Sequence, residues 1–170
     1  MSDIEPRVWV GCLACYNDGR LVGEWLDAAD GPEWKCERVD LNGPHEEFWV
    51  MDHEGFLGAL SGECAPHEAA EIAEALASFD GPAEYLAAFL GGAWITPTYT
   101  IQDAVQDAGD AGFGEYEDRA DYAYRLAEDC GALPADQWAC YVDWDAAGRD
   151  MLMDAHTARL DNGNLLVWFA

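Results

Sequence analysis

Thirty-four aspartates and glutamates stand against eight lysines and arginines in this 170-residue chain, a formal net charge of −26. Lys35 is the single lysine, and no cation falls between Arg38 and Arg119, a stretch that holds 17 carboxylates. Internal ion pairs cannot neutralise such an excess. Two like charges ~8 Å apart in water repel by ~0.5 kcal/mol before screening, and physiological salt screens over about that distance. Summed over many neighbours, the repulsion destabilises a compact state by several kcal/mol, out of the ~5–15 kcal/mol that a folded domain possesses. Any fold for this chain must therefore bury its apolar residues while keeping nearly every acid in water. Disorder is the first alternative. The 51% hydrophobic and 12% aromatic content speaks against it, as do acids interspersed with apolar residues rather than gathered into a tail.

The first third reads as strand-rich. Residues 7–13 and 47–51 carry β-branched and aromatic side chains. Turn signals lie between them at Asn17-Asp18-Gly19, Asp30-Gly31-Pro32 and Asn42-Gly43-Pro44, with a short helix expected at 20–28. The pattern changes near Ser61-Gly62. Pro66 is placed to open a helix on which Ala69, Ile72, Ala73, Leu76 and Phe79 share one face. Glu68, Glu71 and Glu74 recur at i, i+3 on the opposite face, with no lysine or arginine at i+4 to offset them. Asp80-Gly81-Pro82 ends that helix, and a second follows at 83–90, beginning beside Glu84. Asp103 and Asp107 repeat the like-charge spacing on a helix near 99–108. A helix at 117–129 turns Tyr122 and Leu126 inward and offers Asp121 and Arg125 as an i, i+4 ion pair. Asp145 is expected to cap a helix running to about Asp154, and 164–169 reads as a buried terminal strand. The expected architecture is α+β: an elongated chain of three small domains, with small antiparallel sheets at both ends and a helical middle. Residues 1–60 form the first α+β domain, 61–102 a central helical domain, and 103–170 a C-terminal α+β domain.

No stretch of about 18 apolar residues occurs, so no membrane partner is expected. Residues 1–7 lack the basic and apolar regions of a signal peptide, which leads to the expectation of a cytoplasmic protein with reduced thiols. A surface this anionic repels phosphate backbones, so no nucleic-acid partner is expected and a basic protein surface is.

Chemical motifs are weak. Cys12-x-x-Cys15 is compatible with half a metal site, a redox pair or inert buried thiols. No second C-x-x-C exists, and Cys36, His45, His53 and Cys64 show no recognised ligand spacing. If the first strand continues to Cys15, side chains three apart face opposite sides, so inert thiols are the preferred reading. Asp143-Trp144-Asp145 serves equally as a turn and a helix cap. His45, His53, His67 and His156 read as surface or satisfied histidines. No nucleophile–histidine–acid order and no phosphate loop stands out. The chain is accordingly expected to be no enzyme, with no catalytic residues, no cofactor and no metal.

Other residues form a more specific pattern. The run from Val8-Trp9-Val10-Gly11-Cys12 through Tyr16-Asn17-Asp18-Gly19, followed by Gly23-Glu24-Trp25-Leu26-Asp27, resembles the opening of ArdA-type antirestriction proteins. The similarity continues at Phe48-Trp49-Val50-Met51-Asp52 with Gly55-Phe56, at Gly114-Glu115-Tyr116-Glu117-Asp118 with Asp121-Tyr122-Ala123, and at Tyr141-Val142-Asp143-Trp144 with Ala147-Gly148-Arg149-Asp150. It spans nearly the whole chain in order. One departure is the connection at 157–163, longer than the family's, ahead of Trp168 and Phe169.

The resemblance implies a DNA mimic: a homodimer, joined through its C-terminal part, that occupies the Lys/Arg-rich DNA-binding groove of type I restriction–modification enzymes and travels on mobile genetic elements. Under that implication the partner-facing carboxylates are Glu68, Glu71, Glu74, Asp80, Glu84, Asp103, Asp107, Asp110, Glu115, Glu117, Asp118 and Asp121. Phe113, Tyr116, Tyr141 and Trp144 are the candidates for the dimer interface. Elementary electrostatics is compatible with it. Duplex DNA carries one charge per ~1.7 Å of axis, so this net charge matches ~44 Å of duplex. Three other readings stay open: an acidic module for another basic DNA-binding protein, a halophile-adapted acidic protein of unrelated function, and an acidic, metal-dependent enzyme.

Overall fold

The computed structural model describes residues 4–36, 45 and 47–169. It divides into two compact units, 1–109 and 110–170, each a mixture of helices and one small antiparallel sheet, so the fold is α+β.

In the first unit, strand β1 (Arg7–Cys12) lies between β2 (Gly23–Asp27) and β3 (Phe48–Glu54). Alternation along the strands buries Val8, Val10 and Val50 completely on one face. That face is covered by the 3₁₀ turn Ala28–Glu33 and helix α2 (Pro66–Ala77). On the other face the Trp9 ring lies across Gly11 and Gly23, which are paired in register. A β-carbon on Gly11 would meet that ring at 2.6 Å, so the two glycines make the bed for the tryptophan. Met51 is the extra residue of a bulge opposite Trp9 and Val10.

Two expectations change here. The chain at 23–27 is a strand, not a helix. Its pairing with β1 places Leu26 beside Val8, and this cross-strand pairing outweighs a weak local helical pattern. The first strand also stops at Cys12, and helix α1 (Leu13–Asn17) begins at once.

Helices α3 (Ala83–Gly92) and α4 (Ile101–Asp110) follow, burying Leu86 and Leu90, and Ala104, Val105 and Ala108 respectively.

In the second unit, β6 (Leu165–Trp168) is the centre of a sheet flanked by β4 (Gly114–Tyr116) and β5 (His156–Arg159). All four residues of β6 are buried, as its unbroken apolar run predicts. β5 occupies the first half of the long connection before it, turning that connection into a hairpin. Helices α5 (Arg119–Asp129) and α7 (Trp144–Met151) pack together, with the short α6 (Asp136–Ala139) between them in sequence. Tyr122, Leu152, Leu165 and Val167 form the core. Leu126, expected inside, is 38% exposed. Asp143 rather than Asp145 caps α7, accepting from the Ala146 N–H at 3.0 Å, and the helix ends at Met151.

Candidate functional site

The predicted acidic stripe is built from α2 outward. Pro66 fixes the first turn without wasting a donor, and the Glu68 carboxylate reaches back to accept the Ala65 N–H at 2.8 Å. Ala65 has no side-chain acceptor to return the bond, so this is half of a capping box. Ala69, Ala73 and Leu76 are buried, as is Phe79 beyond the helix. That leaves Glu68, Glu71 and Glu74 exposed on the other side, about 4.5 Å apart along the axis. Asp80 and Glu84 are exposed in the turn and first helical turn that follow. Among the described residues Glu71, Glu74, Asp80 and Glu84 make no ion pair and no side-chain hydrogen bond.

On α4 the carboxylates are exposed but occupied. Asp103 accepts the Thr100 N–H and hydroxyl, both at 2.8 Å, while the Thr100 hydroxyl oxygen accepts from the Asp103 N–H at 3.2 Å. This closes a reciprocal capping box, and the bonds from Thr100 hold the Asp103 carboxyl below its ordinary range. The Tyr99 hydroxyl donates to Asp107 at 2.8 Å. Desolvation, then the Asp107 carboxylate, pushes the Tyr99 phenol up to about 12. Asp110 ends the helix, exposed.

In the second unit the acids are structural first. Glu115 is half-buried and accepts from the Asn162 and Asn164 amides at 2.8 and 2.7 Å. Asp118 caps α5 through the Asp121 N–H at 2.9 Å. Asp121 accepts the Glu117 N–H at 3.0 Å and pairs with Arg125 at 2.9 Å, the i, i+4 pair that the sequence predicts. Glu117 is exposed. Among the described residues the pairs Arg7–Glu54, Arg20–Asp18, Arg119–Asp145 and Arg149–Asp150 also lie at the surface, each worth ~1 kcal/mol or less. Among the described residues no charged side chain is buried.

Three of the four expected interface residues are engaged within their own unit. Phe113 packs on Trp168, Tyr116 edge-on to Tyr122, and Trp144 edge-on to Tyr124. Tyr141 is 79% exposed, with its ring 6.0 Å from that of Trp138, itself 59% exposed.

Sequence reasoning missed one cluster. Because α1 starts at Leu13, Cys12 and Cys15 stand one helical turn apart and turn to the same side, contrary to the strand-based expectation. Their sulfurs lie 3.3 Å from His45 Nδ1, and the Cys36 sulfur lies 3.7 Å from the same atom. Burial, together with the neighbouring Cys12 and Cys36 thiols, pushes the Cys15 thiol up to about 11. The clue in the sequence was the C-x-x-C itself, read on the wrong secondary structure. His53 packs edge-on to Phe56, His67 is exposed, and His156 stacks on Trp168.

Helices and two small sheets that carry their carboxylates outward define an acidic α+β protein. Residues 8–165 match the model of the family described as antirestriction protein (ArdA), and the chain belongs to that family. The family is one of inhibitors rather than enzymes, and membership supports an antirestriction function. No curated protein matches the chain significantly. Among the described residues no helix is long and apolar enough to cross a membrane.

Proposed function

We propose that this protein inhibits type I restriction–modification enzymes by occupying their Lys/Arg-rich DNA-binding groove as an imitation of bent B-form duplex, and that it does so as a cytoplasmic homodimer. The observation that carries the reading is the row Glu68, Glu71 and Glu74, exposed and without cationic partners on a helix whose other face is buried. An axial step of about 4.5 Å per charge is close to the ~3.4 Å per phosphate of one DNA strand. A helix is also rigid, so the charges are held in place before the partner arrives and little ordering cost is left for binding. A pre-shaped protein avoids the ~1–6 kcal/mol needed to bend real DNA. It offers no phosphodiester to cut and no base to modify. Arginine and lysine in the groove supply the attraction, and the summed field speeds the encounter.

The test is cleavage of a cognate plasmid by purified type I enzymes, titrated with this protein at several salt concentrations. Inhibition at near-stoichiometric protein, weakening as salt rises, is the expected result. Unimpaired cleavage across several enzyme families, with tight binding to another basic DNA-binding protein, would move the acidic surface to that other partner.

A further inference from the structure

We infer that Cys12, Cys15, Cys36 and His45 are the four ligands of a structural zinc ion in the first unit. The inference rests on their geometry alone and is independent of the antirestriction reading. One ligand atom from each residue lies within 4.8 Å of all the others. Cys12 and Cys15 are buried, and Cys36 and His45 half-buried. Zinc bonds of ~2.3 Å to sulfur and ~2.0–2.1 Å to nitrogen put the sulfur and nitrogen of a tetrahedral site about 3.5 Å apart. The three distances here are 3.3, 3.3 and 3.7 Å.

Hydrogen bonding does not account for this convergence. A neutral imidazole nitrogen has one lone pair and accepts one bond, so His45 Nδ1 cannot serve all three of the thiols that converge on it. A cation at the centre serves all four atoms at once. Three thiolates and one imidazole are the donor set of a closed, four-coordinate zinc centre with no position left for catalysis.

Local structure explains how the ligands meet. β1 ends at Cys12 and α1 carries Cys15 back to the same side. Cys36 follows the 3₁₀ turn Ala28–Glu33, and His45 precedes β3. The ion would thus join three separate segments around one end of a three-stranded sheet. Binding is balanced by proton release: Zn²⁺ displaces three thiol protons, the imidazole binds neutral, and the neutral metal-free cluster becomes a site of net charge −1. The site therefore adds to the anionic character of the chain, and its affinity falls as pH is lowered.

The test uses the full-length protein expressed in zinc-supplemented medium and purified without chelator. About one zinc per chain is expected by elemental analysis, retained in Cys130→Ser, whose cysteine is exposed and outside the cluster. Stoichiometric binding is expected to be lost in Cys36→Ser and in His45→Ala. Should those variants fail to fold, the wild type decides. Replacement with Co²⁺ is expected to give the intense visible bands of a tetrahedral thiolate site. Zinc should also shield Cys12, Cys15 and Cys36 from alkylation while Cys130 and Cys140 react. Zinc content no higher in wild type than in Cys36→Ser, a pale octahedral cobalt spectrum, or a Cys12–Cys15 disulfide in freshly lysed cells would each overturn the assignment.

Discussion

Gly148 of α7 lies against the backbone carbonyl of Arg119 at the start of α5, where a β-carbon would overlap that oxygen. The obstacle is backbone and cannot swing aside, so the two helices approach as closely as they do because position 148 has no side chain. Gly148→Ala is expected to destabilise the second unit by about 1–3 kcal/mol, the usual cost of overpacking. Gly109, inside α4, faces open space, and Gly109→Ala is expected to stabilise by ~0.5–1 kcal/mol through helix propensity. Urea midpoints of the two variants should move in opposite directions. A neutral Gly148→Ala would mean that the helices separate without loss.

The Tyr99–Asp107 hydrogen bond predicts an alkaline titration. The Tyr99 phenol is raised to about 12, first by desolvation and then by Asp107. The fold favours the neutral phenol, so its contribution to stability is complete below the ordinary tyrosine value of ~10 and is lost as pH rises toward 12. The absorbance difference between wild type and Tyr99→Phe should show phenolate appearing near pH 12. In Asp107→Asn the onset should move down only part of the way, because burial remains. An onset in wild type at the ordinary value would remove the hydrogen bond from the account.

Neutralising the stripe on α2 should affect stability and binding in opposite directions. Glu71→Gln with Glu74→Gln removes the like-charge i, i+3 neighbours and should stabilise the helix by roughly 0.5 kcal/mol. Inhibition of cleavage should weaken modestly with either single change and further with both. Asp118→Asn keeps the helix cap and should weaken inhibition only slightly. A hundredfold loss from any one of these substitutions would contradict a distributed surface and point to a single contact.

Exposed Trp138 and Tyr141 offer the second unit an apolar patch whose exposure in the single chain a dimer would explain. Light scattering at micromolar concentration should give a dimer mass for the wild type and a shift toward monomer for Tyr141→Glu, with unchanged thermal stability of the isolated subunit. A monomeric wild type would end the dimer proposal.

Much of the fold was legible because short-range signals agreed with long-range packing. Pro66, the 3.6-residue spacing of Ala69, Ala73 and Leu76, and the opposing glutamates all specify the same helix. The Asp121–Arg125 pair follows from a four-residue spacing, and the burial of β6 from an unbroken apolar run. Where the reading failed, the decisive partner was distant in sequence. Residues 23–27 are a strand because β1 is there to pair with. Leu126 stays exposed because helical spacing shows which residues share a face but not how wide that face is. Asp143 displaces Asp145 as the cap through a difference of two residues in where the chain turns.

The candidate site divides along the same line. The amino-acid sequence alone determined that this chain must hold its acids in water, that Glu68, Glu71 and Glu74 share one face, and that no local cation offsets them; charge and helical period require no tertiary information. The tertiary structure decided which acids remain unpartnered and which serve as caps. It also brought Cys36 and His45 to the pair Cys12 and Cys15. That convergence depends on a strand ending and a helix beginning within one residue, and on bringing together segments distant in sequence, which no spacing rule encodes.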